Sequence, residues 1–340
     1  MKRKSVLAAF LLALAFPVLA AVSTKPPATP IEEDAKYQYL KDAANAVVGV
    51  QVKALANARS ANTLGVDRNG SGVVIENGLV LTIGYLILEA ESVEVTTTQG
   101  RTVPAIVAAY DHATGFGLLR PLGPLDVKPI KLGDSERVEP TFKMLVAGAG
   151  GAENLSVATV VARRPFAGYW EYLLDNAIFT SPPRPDFGGA ALIDRHGELV
   201  GIGSLFVMDA QVPGERYPGN MFIPIELLKP ILAEMVATGK QKAGRRPWLG
   251  VSSMEEDGHI KVLRVSNDSP ADEAGIAAGD VILALAGHDV TTLDDFYRTL
   301  WKAGAPGVTV TLKVQKGEEV REIRVRSMDR QDHIRRKPTI

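Results

Sequence analysis

The sequence predicts a mostly β protein built from two units, the second smaller and of mixed α+β character. Three observations carry this. The 32 Gly and 21 Pro are scattered rather than tandem, which marks many tight turns. From residue 46 to 222, short apolar runs alternate with Gly, Asp, Asn and Pro, the spacing of strands in a sandwich or barrel. A charged stretch, Lys240 to Arg246, then separates this pattern from a different one. With 340 residues the chain is long enough for two cores.

Taken in order, the first segment is a leader. Lys2, Arg3 and Lys4 precede an apolar run from Ser5 to Phe16, and Val18-Leu19-Ala20 supplies small residues for cleavage. Residues 1–20 read as a signal peptide, because the run is too short for a comfortable membrane span. Export follows as an expectation: to the periplasm where the cell has two membranes, to the exterior where it has one, with no stable membrane anchor. No Cys is present, which excludes disulfides and lipoprotein attachment. Without its leader the chain is mildly acidic, which argues against nucleic acid as a partner. No His, Asp and Glu cluster has metal-ligand spacing and no glycine loop suits a phosphate, so no cofactor or metal is expected.

Residues 21–35, with Pro26, Pro27 and Pro30, read as a flexible lead-in. Tyr37, Leu40, Ala43 and Val47 follow at helical spacing. Val73 to Ile75, Leu79 to Leu81, Val93 to Val95, Leu192-Ile193, Leu199 to Ile202 and Phe222 to Pro224 read as strands. A helix is expected from Ile225 to Thr238, with Leu228, Ile231, Leu232 and Met235 as its buried stripe and Gly239 ending it. This first unit spans 36–239, and residues 240–246 form a linker. In the second unit, 247–327, Ile260 to Val265 reads as a strand and Ser269-Pro270-Ala271 opens a short helix that stops near Gly275. Gly279-Asp280 turns into another strand. Leu293, Phe296, Tyr297, Leu300 and Trp301 form one helical face, and Pro306-Gly307 precedes an alternating strand. Residues 328–340, with Arg330, Arg335, Arg336 and Lys337, read as a solvated basic tail.

Trp248-Leu249-Gly250-Val251, Ser269-Pro270-Ala271, Ala274-Gly275 and Gly279-Asp280-Val281-Ile282 occur in the order and spacing of a PDZ domain. The second unit resembles the PDZ domains of HtrA-type proteases. Gly250 lets successive N–H groups converge on a carboxylate, so Trp248, Leu249, Gly250 and Val251, with Phe296 and Leu300 of the helix, are the expected peptide-binding residues. The first unit resembles the protease domain of the same HtrA/Deg family, through Gly70 to Ile75, Leu79 to Thr82, Leu118-Leu119, Leu132 to Ser135, Gly188-Gly189, Gly197 to Ile202 and Phe222 to Pro224. The fold implied is a chymotrypsin/trypsin-like double β-barrel followed by a C-terminal PDZ domain.

The resemblance also places the catalytic positions. Tyr85 falls where the family has its histidine, Gly115 where it has its aspartate and Phe187 where it has its serine. A phenol with an ordinary pKa near 10 is a poor base, glycine orients nothing and phenylalanine offers no nucleophile. Loss of such a triad costs about 10⁶ in turnover. Pro185 falls at the position of an oxyanion-hole N–H and has none, a further loss of about 10²–10³. The expectation is therefore a pseudoprotease, not an enzyme, with no catalytic residues. It would bind peptides or protein C-termini through the PDZ domain, as a chaperone-like binder or a regulator of an active homologue. Two other classes stand beside it: an active HtrA-like endopeptidase of protein quality control using a non-standard site, with His112 and Ser181 as the first groups to test, and a structural spacer. Family members assemble as trimers, so a homotrimer or a hetero-oligomer with an active homologue is implied. Tyr37 and Tyr39 suit that contact and suit burial on the barrel equally.

Overall fold

The computed structural model describes residues 37–239 and 245–335. The leader, the lead-in, most of the linker and the end of the basic tail lie outside the described residues. No helix among those described is long and apolar enough to cross a membrane.

The first unit is two closed barrels of six antiparallel strands each. A helix, Gln38–Ala44, leads into the first, which contains β1 (Val47–Ala54), β2 (Asp67–Val74), β3 (Val80–Ile83), β4 (Ala90–Thr96), β5 (Thr102–Tyr110) and β6 (Phe116–Pro121), ordered β1-β2-β3-β6-β5-β4. The second contains β7 (Lys143–Ala147), β8 (Leu155–Gly168), β9 (Tyr172–Ser181), β10 (Ala191–Ile193), β11 (Leu199–Val207) and β12 (Gly219–Pro224), ordered β10-β11-β12-β9-β8-β7. Closure leaves no free strand edge in either barrel. The apolar runs of the sequence become the filling: Val73, Val80, Leu81, Phe116, Leu118 and Leu119 belong to one large buried cluster that draws on both barrels, and Val146, Val160, Ile178, Leu192 and Phe222 to a second.

The expected helix at 225–238 is not continuous. Residues Ile225–Leu227 form one 3-10 turn and an α-helix begins only at Leu232. Pro230 explains the break, since it has no N–H to give and disfavours helical geometry at Lys229 before it. The stop at Gly239 is as expected: its φ is +74° and its N–H reaches Met235 O.

In the second unit β13 (Pro247–Trp248) pairs with β20 (Met328–Asp329), so the chain enters and leaves at one place. Between them lie β14 (Val251–Glu256), β15 (His259–Val265), β16 (Val281–Leu285), β17 (His288–Asp289), β18 (Thr309–Lys316) and β19 (Glu319–Arg326). The sheet runs β14-β15-β16-β18-β19, which leaves β14 on an edge. Two helices complete the unit, each with a hydroxyl cap. Ser269 caps Pro270–Glu273 and Thr292 caps Leu293–Lys302. Phe296, Tyr297 and Leu300 of the longer helix are fully buried against the sheet.

The described part of the expected tail, residues 328–335, does not hang free in solvent. Gln331 Nε2 donates to Tyr110 O and Arg335 N to Glu89 Oε1, both on the first barrel. Arg59 reaches the second unit as well, through Asn267 O and an ion pair with Asp268. The two units are thus joined by polar contacts well away from the linker.

Candidate functional site

The three family positions converge between the barrels. Tyr85 sits on a single helical turn, Gly84–Ile87, directly after β3. The N–H of Gly84 donates to Gly115 O at 2.7 Å, which sets the loop before β6 beside that turn. Tyr85 Oη donates across to Ser204 O on β11 at 2.9 Å. A Cβ at Gly188 would stand 3.0 Å from Tyr85 Oη, so the phenol also abuts the loop that carries Phe187. Burial pushes the Tyr85 hydroxyl further above its usual pKa, which keeps it a proton donor.

At Gly115 the backbone is left-handed, with φ +87°. The phenol of Tyr172 fills the space beside it and donates to Thr114 O at 2.6 Å. The loop before β10 is pinned by Arg184, whose guanidinium donates to Val146 O, Ser156 Oγ, Asn154 Oδ1 and both oxygens of Asp186. These bonds fix the backbone from Arg184 to Gly189. Phe187 is half-buried and Pro185 exposed. His112 and Ser181 are not brought to this place as a pair: His112 Nδ1 lies 2.5 Å from Tyr110 Oη, while Ser181 Oγ donates to Pro218 O on the second barrel. Burial lowers the His112 pKa well below its usual value, so its ring is neutral.

The second cluster lies at the expected carboxylate loop, where the sequence could not show what it holds. Three consecutive N–H groups converge there, as Gly250 allows with φ +91°. They hold a carboxylate, and it belongs to Glu171. Leu249 N donates to Oε2 at 3.0 Å, Gly250 N to Oε1 at 2.7 Å and Val251 N to Oε1 at 2.9 Å. Glu171 ends the turn between β8 and β9 and is buried. Burial raises its pKa to about 7, opposed by the three N–H donors and by the charge of Arg330. Tyr297 Oη donates to Gly168 O at 2.7 Å and accepts from Glu171 N at 3.2 Å.

Among the expected peptide-binding residues, Leu249, Gly250 and Val251 form this cradle. Phe296 and Leu300 are core residues beneath it. Trp248 packs on the His333 ring, with centroids 4.8 Å apart, and takes no part in holding the carboxylate. Glu171 and Arg184 escaped the sequence reading, which placed Tyr297 on the apolar helix face without the bonds of its hydroxyl. A glutamate in a hairpin turn reads as a solvated residue, and one sequence contains no sign that it points inward.

A trypsin-like peptidase domain model matches residues 70–202 and a PDZ domain model matches residues 247–326. The serine protease Do-like HtrA of Bacillus subtilis is 26% identical over 287 residues, covering 74% of this chain and 62% of that protein. The chain belongs to the HtrA-type family. A second relative, the periplasmic serine endoprotease DegP of Salmonella typhimurium, is 27% identical to this HtrA-type chain over 240 residues, 66% of it and 49% of the relative. The chain thus spans about half to three fifths of the length of these two relatives. Among solved structures, the HtrA-type protease AlgW with decapeptide superposes with a TM-score of 0.51 at 20% identity, covering 88% of this chain and 98% of that one. The serine endoprotease from Yersinia pestis gives 0.51 at 22% identity, with 86% and 97% covered. At these identities the two structures share the fold, a trypsin-like double barrel followed by a PDZ domain.

The relatives correct one expectation. This HtrA-type chain was expected not to be an enzyme, yet those it matches are named serine proteases and endoproteases. The match to a trypsin-like peptidase domain and these names point to an enzyme instead.

Proposed function

We propose that this HtrA-like protein works on exported polypeptides in protein quality control and receives their C-termini in its PDZ groove. One observation carries the reading: the N–H groups of Leu249, Gly250 and Val251 converge on a carboxylate beside the edge strand β14. A chain end supplies both a carboxylate for such a cradle and a backbone for such an edge. The leader expected at residues 1–20 and the periplasmic relatives support export. The test is fluorescence anisotropy with labelled decapeptides ending in apolar residues, each as free acid and as C-terminal amide. Free acids should bind and amides fail; equal binding of both removes the proposal.

The names of the relatives favour a second reading, endopeptidase activity. On that reading the working groups lie away from Tyr85, Gly115 and Phe187, which offer no base, orienting carboxylate or nucleophile. Cleavage of an unfolded protein by repurified wild type, retained in Phe187→Ala, is the expected result. Absence of cleavage in both would end it. Assembly into a homotrimer, or with an active homologue, belongs to the same proposal. Tyr37 and Tyr39 are 46% and 45% exposed, so both rings offer apolar surface to that contact. Light scattering of Tyr37→Ala against wild type checks it.

A further inference from the structure

The tip of the β8–β9 hairpin meets the second unit in the way a bound peptide would. Its carboxylate is held by the cradle, and two residues earlier Tyr169 O accepts from Ser253 N on the edge strand β14 at 2.8 Å. Two residues later Leu173, from β9, packs into the apolar cluster of the second unit with Leu249, Val251, Phe296, Tyr297 and Leu300. Asp175 closes the contact through an ion pair with Arg298 on the helix. Carboxylate, strand-edge backbone, apolar side chain and flanking charge are the four features by which such a groove recognises a ligand, and one hairpin of this chain supplies them all.

The turn is held under strain to do this. Glu171 has φ +57°, a left-handed geometry uncommon outside glycine and asparagine. Such residues persist where surrounding contacts over-determine them. Here those contacts are the cradle, Tyr297 Oη, and Arg330 Nη1, which donates to Trp170 O at 3.0 Å. Arg330 belongs to the C-terminal segment, so that segment also holds the tip in place.

We propose that the segment Gly168 to Leu173 is a resident internal ligand of the PDZ groove, and that any C-terminal peptide binds only by displacing it. The groove therefore accepts two classes of ligand: a chain end, and an internal turn that presents a glutamate side chain in place of one. The first class rests on the function proposed above; occupancy by the hairpin does not. Because the competitor is intramolecular, the apparent affinity for an external peptide is reduced by the fraction of molecules in which the groove is open.

Two measurements on the full chain separate the ideas. Hydrogen exchange at the amides of Leu249, Gly250 and Val251 reports occupancy without any peptide. Protection in wild type that falls in Glu171→Ala, and less in the shape-preserving Glu171→Gln, is the expected result. Unprotected amides in wild type overturn the proposal. Anisotropy with the same free-acid decapeptides should then show binding at least about tenfold tighter in Glu171→Ala than in wild type. Because the chain has no Cys, Tyr169→Cys with Ser253→Cys places a unique reversible lock on the tip. Binding abolished under oxidation and restored by reductant supports displacement, and binding unaffected by the lock overturns it. Failure of all variants to bind any free acid while the amides stay protected in wild type would sink the C-terminal reading and leave the internal ligand standing.

Discussion

Gly115 and Tyr172 share one small space between the barrels: a Cβ on the glycine would stand 3.2 Å from the phenol oxygen and 3.3 Å from Ile223 Cδ1. The position that the family resemblance assigns to an aspartate is therefore closed twice, by its left-handed backbone and by a neighbouring ring.

Replacement of Gly115 with aspartate should be costly. Gly115→Asp is expected to destabilise by about 1–3 kcal/mol, through strain at positive φ and crowding. Adding Tyr172→Phe removes the crowding oxygen and should recover part of the loss. Urea unfolding of the single and double variants reads this directly, and a wild-type midpoint for Gly115→Asp would refute the argument.

Docking of the hairpin should depend on pH. Burial raises Glu171 to about 7 in the docked state, against an ordinary value of about 4.3 when the tip is free. The docked state thus holds the extra proton. Docking is strongest below the ordinary value and weakens as pH rises through this window towards 7. Arg330 and the Tyr297 hydroxyl face the same carboxylate and change charge well above it. Protection of the Leu249 to Val251 amides, corrected for intrinsic exchange, should be lower at pH 8 than at pH 5 by about tenfold or more. Protection that is flat or rises with pH contradicts this sign.

Arg184 should matter more for stability than its place in a loop suggests. It is 8% exposed and bonds to β7, to Asn154 and to Asp186, so Arg184→Ala leaves several polar groups without partners. A loss of about 3 kcal/mol is expected by thermal or urea unfolding. A loss under about 0.5 kcal/mol, the range of ordinary surface changes, would mean that solvent replaces these bonds freely.

The sequence reading succeeded where local chemistry decides structure. Turn residues and alternating apolar runs located the strands, and Ser269 and Gly239 behave as the capping residues they resemble. It failed where a single residue overrode a pattern, as Pro230 does within an otherwise helical stripe. It also failed where a residue's partner is far away in sequence. Nothing in Tyr169-Trp170-Glu171 indicates that its carboxylate meets Leu249, because that depends on how two separately folded sheets approach each other. The cradle itself was legible, since glycine and its neighbours determine where the N–H groups point; its occupant was not.

Leu173 belongs by sequence to the second barrel and by packing to the core beyond the linker. Neither unit can then melt without stripping an apolar side chain from the other. Calorimetry should find one merged transition rather than two, and a fragment beginning at Pro247 would expose the apolar surface against which Leu173 packs. The border drawn by composition at residues 240–246 divides the polypeptide, but the unit of cooperativity runs across it.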